Sequence, residues 1–251
     1  MLTDDHLRIS HFGATFNEKD VRGVCGIGKS TKEITEIGRF GIGFKSVFAF
    51  TDRPEIHSGS ADFIIENYVK PRAAPAVRRD NNETVILIPF RQGDKTSKQE
   101  ISDALSKLGT TSLLFLREIN EIYWDGDGIQ SGFYLRQSKT IDQDIQQVEM
   151  IEQNGQGQFD DQWLVFSRAV DKDDGRFGDY VEIAWSTSRN EIGTRRLGTV
   201  NSSPLVAFFP TVVETHLGFL IQGPYQTTPN RDNVARQDES NRTVFGRPDC
   251  S

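Results

Sequence analysis

Cysteine is scarce in this 251-residue chain: Cys25 and Cys250 are the only two. Two thiols so far apart give neither a metal-ligand spacing nor a disulfide framework, so a reducing, cytoplasmic setting is expected. Long apolar runs are missing too. No stretch approaches the ~18 residues a helix needs to cross a bilayer, so no membrane association is expected. The opening "MLTDDHLRIS" has no basic segment followed by an apolar one and does not read as a signal peptide. There is no long Lys/Arg stripe, and the net charge is −7. An acidic chain without such a stripe lacks the footprint of a nucleic-acid binder. The short basic clusters "KPRAAPAVRR" and "TRR" read as solvated loop charge. No internal repeat or low-complexity tract interrupts the chain. What remains is 36% hydrophobic and 26% charged, an ordinary globular balance with enough length for one large domain or two smaller ones.

The first hundred residues alternate strand and helix signals. "HLRIS" reads as a strand. "NEKDVRGVCGI" opens on Asn17, a good N-cap, and sets Val21, Val24 and Cys25 at helical spacing. "PEIHSG", "DFIIENYV" and "TVILIPF" read as strands, and "KPRAAPAVRRDNNE" as an exposed loop. "SKQEISDALSKLG" starts on serine, aligns Ile101, Leu105 and Leu108, and stops at Gly109, which predicts a helix. Strand signals dominate afterwards, in "SGFYLRQS", "DQWLVFSRAV", "DYVEIAWSTS", "PLVAFFPTVV" and "HLGFLIQGPYQ". The pattern predicts an α+β protein of two units, with the boundary near residues 109–113.

Two glycine clusters compete for a phosphate-binding role. "GVCGIGKST" matches G-x-x-x-x-G-K-[ST] literally, from Gly23 to Ser30. A P-loop, however, needs a buried strand before it and a long helix after it. Here the preceding "FNEKDVR" is polar and helix-patterned. Only "TKEITEI" separates Ser30 from Gly38, about two turns of helix. The context argues against a P-loop. The second cluster, "GRFGIGFKSVF", has Gly38, Gly41 and Gly43 leading into an apolar segment with Phe44, Val47, Phe48 and Phe50. It reads as a loop running into a buried helix. Either the glycines let backbone amides approach an anion, or they form a turn that packs that helix tightly.

The residues around it bear on that choice. Ile9 to Gly59, ending in "FGIGFKSVF…TD", resembles the GHKL (Bergerat-fold) ATPases, and most of all their sacsin-like branch, itself similar to the ninety-kilodalton heat-shock chaperones. The later "PLVAFFPT…LGFLIQGPYQTTPNRDNV" resembles the middle domain of that family. The resemblance implies a partial Bergerat-type α/β sandwich over residues 1–110. A middle-domain-like α+β region follows over 111–251, cut short at its C-terminus. It also implies ATP and Mg2+ as cofactors and a chaperone-like module whose two domains close on nucleotide. The backbone of Phe40, Gly41, Ile42, Gly43 and Phe44, after Gly38, inherits the phosphates. Lys32 matches a lysine near the phosphates, whereas Lys29 corresponds to no ligand of the family. Thr84 stands where the family has a threonine near the adenine. Arg231 matches an arginine of the middle domain that reaches the terminal phosphate.

Two departures qualify the resemblance. The tripeptide aligned with the family's D-x-G adenine box is His11, Phe12 and Gly13. His11 is therefore either a base ligand or an ordinary edge-strand residue. The family's helix carrying a glutamate general base and a magnesium-binding asparagine stands ahead of that box, where this sequence has only ten residues. The expectation is nucleotide binding without hydrolysis by this chain alone. The expected partners are ATP, protein clients, or a partner that supplies the helix. A protein-interaction fragment that keeps the fold without nucleotide is the alternative.

Overall fold

The computed structural model describes residues 1–26, 43–155, 157–170, 179–189, 194–207, 209–225, 227–228 and 233. The protein is α+β and mostly sheet. It divides into two compact units, Met1–Lys107 with Trp124–Ser131, and Leu108–Tyr123 with Gly132–Ser251.

The first unit is built on a five-stranded antiparallel sheet. Its strands are β1 (His6–Phe12), β2 (Glu55–Ser58), β3 (Ala61–Glu66), β4 (Lys70–Ala73) and β5 (Glu83–Pro89), in the order β1-β5-β2-β3-β4. The β-branched residues Thr84, Val85, Ile86 and Ile88 suit β5 to its interior position between β1 and β2. Helix α1 (Glu18–Cys25) starts where its sequence says it should. Asn17 Oδ1 accepts from the amides of Lys19 (2.8 Å) and Asp20 (3.2 Å), and Asp20 returns a carboxylate to the Asn17 amide at 2.9 Å. Its apolar face joins a core of Cys25, Phe48, Ile56, Phe63 and Ile65, with Phe16, Val21, Val24, Phe44, Val47 and Ile86 packed around it.

Three local expectations change. Residues 70–73, expected in a loop, form β4, because the hairpin tip at Asn67–Tyr68 folds them back onto β3. Pro71 is tolerated because β4 is an edge strand. The segment after the second glycine cluster is not a buried α-helix but a 3-10 turn, Phe44–Ala49, in which Phe48 alone is buried. It stops early because Arg91 donates to the Phe48 and Ala49 carbonyls, at 2.6 and 2.5 Å, and to Asp52 at 3.0 Å. Helix α2 (Ser97–Ser106) takes its N-terminal bonds from Asp94, which accepts the amides of Thr96 (2.8 Å) and Ser97 (2.9 Å). Leu108, expected on its apolar face, lies beyond the helix and is exposed.

The second unit is a nine-stranded sheet. Its long meander comprises β7 (Gly132–Asp142), β8 (Ile145–Asn154), β9 (Gly157–Val170) and β10 (Asp179–Arg189). The remaining strands are β6 (Glu121–Trp124), β11 (Arg195–Gly198), β12 (Pro204–Ala207), β13 (Phe209–Glu214) and β14 (Leu220–Gln222). The order is β13-β12-β14-β10-β9-β8-β7-β6, with β11 on β10. Register places Tyr134, Val148, Met150, Val165 and Ala184, all buried, on one face. The same face carries buried Arg136 and Glu182. Arg136 Nε donates to the Leu114 carbonyl (3.2 Å), and Glu182 accepts from Arg117 (2.6 Å) and Ser167 (2.9 Å).

Candidate functional site

Pairing register builds the site from three adjacent strands. His11 on β1 and Ser58 on β2 both stand opposite Thr84 on β5. Directly opposed residues project to the same face, so the three form one row across the sheet. Ile56 and Phe63 share that face, and they belong to the core that α1 and the 3-10 turn cover. The row therefore lies on the helix-covered side of the sheet.

Its inner end is closed. Ser58 and Thr84 are both buried and their hydroxyls hydrogen-bond each other. Ser58 Oγ also accepts the Phe16 amide at 2.9 Å, tying the row to the residue just before the Asn17 cap. The outer end is open: His11 is exposed. Gly13 follows at φ +154°, with its amide on the Asn82 carbonyl at 3.0 Å. A Cβ there meets nothing within 4 Å, so backbone conformation, and not crowding, makes the position suit glycine.

Gly43 is the N-cap of the 3-10 turn at an ordinary φ of −55°, and its carbonyl takes the Ser46 hydroxyl at 2.8 Å. Phe44 packs into the core beside it. The other sequence-derived candidates, Lys32, Gly38, Phe40, Gly41, Ile42 and Arg231, lie outside the described residues.

Lys45 and Ser58 were not singled out by sequence reasoning. Lys45 Nζ donates to the Val24 carbonyl at 2.7 Å and to the Tyr68 carbonyl. Burial pulls the Lys45 ammonium below the usual lysine range, partly offset by neighbouring Cys25; burial likewise raises the Cys25 thiol, partly offset by Lys45. Ser58 was legible in principle, since alternation in "EIHS" puts it on the same face as apolar Ile56. For Lys45 the sequence offers no signal, because its acceptors are backbone carbonyls 21 and 23 residues away.

The opposite face of the same sheet holds a second polar cluster. His57 is fully buried, with Nδ1 2.8 Å from Asp62 and Nε2 3.4 Å from Glu55. Arg79 bonds Asp62 (2.7 Å) and the Gly59 carbonyl (2.7 Å). Burial works against the Asp62 carboxylate, but the Arg79 and His57 hydrogen bonds outweigh it and hold the group below the ordinary range. These contacts tie the β2–β3 hairpin to the segment ahead of β5.

Only the His11 end of the row is open to a ligand, and the row holds no carboxylate for a metal. Among the described residues no three of His, Cys, Asp and Glu gather as a cation site.

Two of the three residues of this row, His11 and Ser58, lie within a segment that resembles a known family: residues 9–71 match the model of the Sacsin domain family. The match starts within β1, spans α1, the 3-10 turn, β2 and β3 and ends in β4, so it contains His11, Gly13, Gly43, Lys45 and Ser58 but not Thr84. The chain is similar to Protein NO VEIN of Arabidopsis thaliana, 26% identical over 260 residues, which covers 92% of this chain and 9% of that protein. It is also similar to Sacsin of Homo sapiens, 49% identical over 98 residues, 38% of this chain and 2% of that protein. The chain thus spans less than a tenth of either relative. Among the described residues, no helix is long and apolar enough to cross a membrane.

Proposed function

We propose that the first unit is a nucleotide-binding module of the Bergerat type. ATP lies on the helix-covered face, its base toward His11 and Thr84 and its phosphates toward the glycine turn that ends at Gly43 and Phe44. The observation that carries this reading is the register that puts His11 and Thr84 on the face where the 3-10 turn packs. The resemblance of "FGIGF" to the GHKL phosphate turn supports it, as does the likeness of residues 9–71 to the Sacsin domain. Mg2+ travels with the phosphates, held by them more than by side chains. Lys32 and Arg231 are the side chains assigned to the phosphates. The function proposed is nucleotide binding.

The test is thermal. A ligand that binds only the folded state stabilises it by RT ln(1 + [L]/Kd), about 2.7 kcal/mol at a hundredfold excess over Kd. Millimolar Mg-ATP raises Tm by several degrees, Gly41→Val abolishes the shift, and Lys29→Ala leaves it. No shift removes the proposal; loss of the shift with Lys29→Ala but not with Gly41→Val restores the P-loop.

One observation favours a second reading, an interaction module without nucleotide. Thr84 is buried and its hydroxyl already satisfied by Ser58, so this end of the row folds without a ligand. The same titration separates the two.

A further inference from the structure

A lysine immediately after a phosphate turn invites assignment to the phosphates. The geometry here points elsewhere. Two of the three Nζ donors of Lys45 are spent on backbone carbonyls: that of Val24, in the last turn of α1, at 2.7 Å, and that of Tyr68. A cation at a helix C-terminus satisfies carbonyls with no partner inside the helix and complements the helix dipole. Nζ also lies 5.7 Å from the centre of the Phe48 ring. That ring in turn contacts Tyr68, 4.4 Å between centroids. Tyr68 itself is unusual. It sits at φ +68° beside Asn67 at +50°, in the left-handed region that bulky residues avoid. A conformation of this cost persists where surrounding contacts hold it. The ammonium and the Phe48 ring are those contacts. One side chain therefore joins three segments: the end of α1, the 3-10 turn, and the β3–β4 tip.

We propose that Lys45 is a positioning residue for Gly43 and Phe44 at the start of the 3-10 turn, fastening that start to α1 and the β3–β4 hairpin, and not a ligand of the phosphates. The inference rests on the nucleotide-binding reading of this site. Through the clamp, the backbone amides of Gly43 and Phe44 are held in place before nucleotide arrives, and Cys25, at the clamped end of α1, stays buried.

Two measurements on the full chain test it. In a Cys250→Ser background, Lys45→Met raises the rate of Cys25 alkylation by a maleimide at least tenfold, while Lys45→Arg, which keeps the cation, restores slow labelling. Slow amide exchange in β5 confirms that the variant remains folded. ATP affinity then falls about tenfold in Lys45→Met, with the dependence on salt unchanged from wild type. A direct phosphate contact predicts a flatter salt dependence in the variant, because one screened attraction has been removed. Unchanged Cys25 labelling overturns the clamp whatever ATP does. A flattened salt dependence overturns the positioning role and makes Lys45 a ligand. If wild type binds no ATP, the nucleotide reading falls and takes the positioning role with it, while accelerated labelling still reports the clamp itself.

Discussion

Ser58 holds together more of the candidate site than any residue the sequence singles out, and its removal has a calculable cost. Its hydroxyl accepts the Phe16 amide at 2.9 Å and bonds the Thr84 hydroxyl, and both side chains are buried. Ser58→Ala leaves two groups unpaired: the Phe16 N–H at the edge of the core and the Thr84 hydroxyl inside it. A buried polar group stranded in this way costs about 1–3 kcal/mol, the lower end for partly exposed groups. The sum is about 2–4 kcal/mol for Ser58→Ala. Thr84→Val removes its own hydroxyl and leaves the Ser58 hydroxyl still bonded by the Phe16 amide, so one hydrogen bond is lost and no group is left without any partner, at a cost of about 0.5–1.5 kcal/mol. Urea unfolding of both variants gives the order, provided m is unchanged. Amide exchange localises the effect, since the Phe16 N–H loses its acceptor in Ser58→Ala and keeps it in Thr84→Val. The reasoning fails if Thr84→Val costs more than Ser58→Ala, or if Phe16 exchange is equal in the two.

Two further outcomes follow from charges outside the row. The hydroxyl and amide of Ser97 and the amide of Thr96 hold Asp94 down at about 2 against an ordinary 3.8. A carboxylate lowered on folding contributes stability that is complete above its unfolded pKa and is lost as pH falls through its folded one. Amide protection in the first turn of α2 should therefore hold to about pH 4 and disappear toward pH 2, whereas in Asp94→Asn it shows no such transition. In the second unit, Glu182 is the acidic partner of Arg117 at 2.6 Å, and its charge opposes the strain of burial on Arg136, whose guanidinium is pulled below its usual range chiefly by desolvation. Arg117 is 39% exposed, so the loss in Glu182→Gln is smaller than for a fully buried pair, about 1–3 kcal/mol in urea unfolding. Arg117→Met costs less, because Ser167 still bonds Glu182.

Parts of this fold are legible where local chemistry and tertiary context agree. Asn17 marks the start of α1 because its side chain satisfies amides within its own turn, an interaction that needs no other part of the protein. β5 is legible because a run rich in β-branched residues suits a strand buried between two neighbours. β4 is not. Lys70, Pro71 and Arg72 have the composition of a loop, and they become a strand only because β3 presents an edge and the tip at Asn67–Tyr68 turns the chain back. The 3-10 turn is misread for a related reason. Phe44, Val47 and Phe48 fit a helical period, but Arg91, 42 and 43 residues away, takes the terminal carbonyls and ends the segment at Ala49.

The same division runs through the site. His11 and Thr84 lie 73 positions apart in sequence, and nothing in either local stretch says that they face each other; a resemblance to a family suggested both, and the β1–β5 register puts them opposite one another. Lys45 shows why residue type is a poor guide beside a glycine turn. An ammonium within reach of a phosphate and one capping a helix are the same chemical group, each seeking a partial or full negative charge. Which acceptor wins depends on where the backbone carbonyls lie. At Lys45 two of them are already within hydrogen-bonding reach, so moving to a phosphate breaks two bonds and releases the strained Tyr68 tip. On that ground Lys45, despite its place directly after the glycine turn, belongs to the scaffold of the first unit.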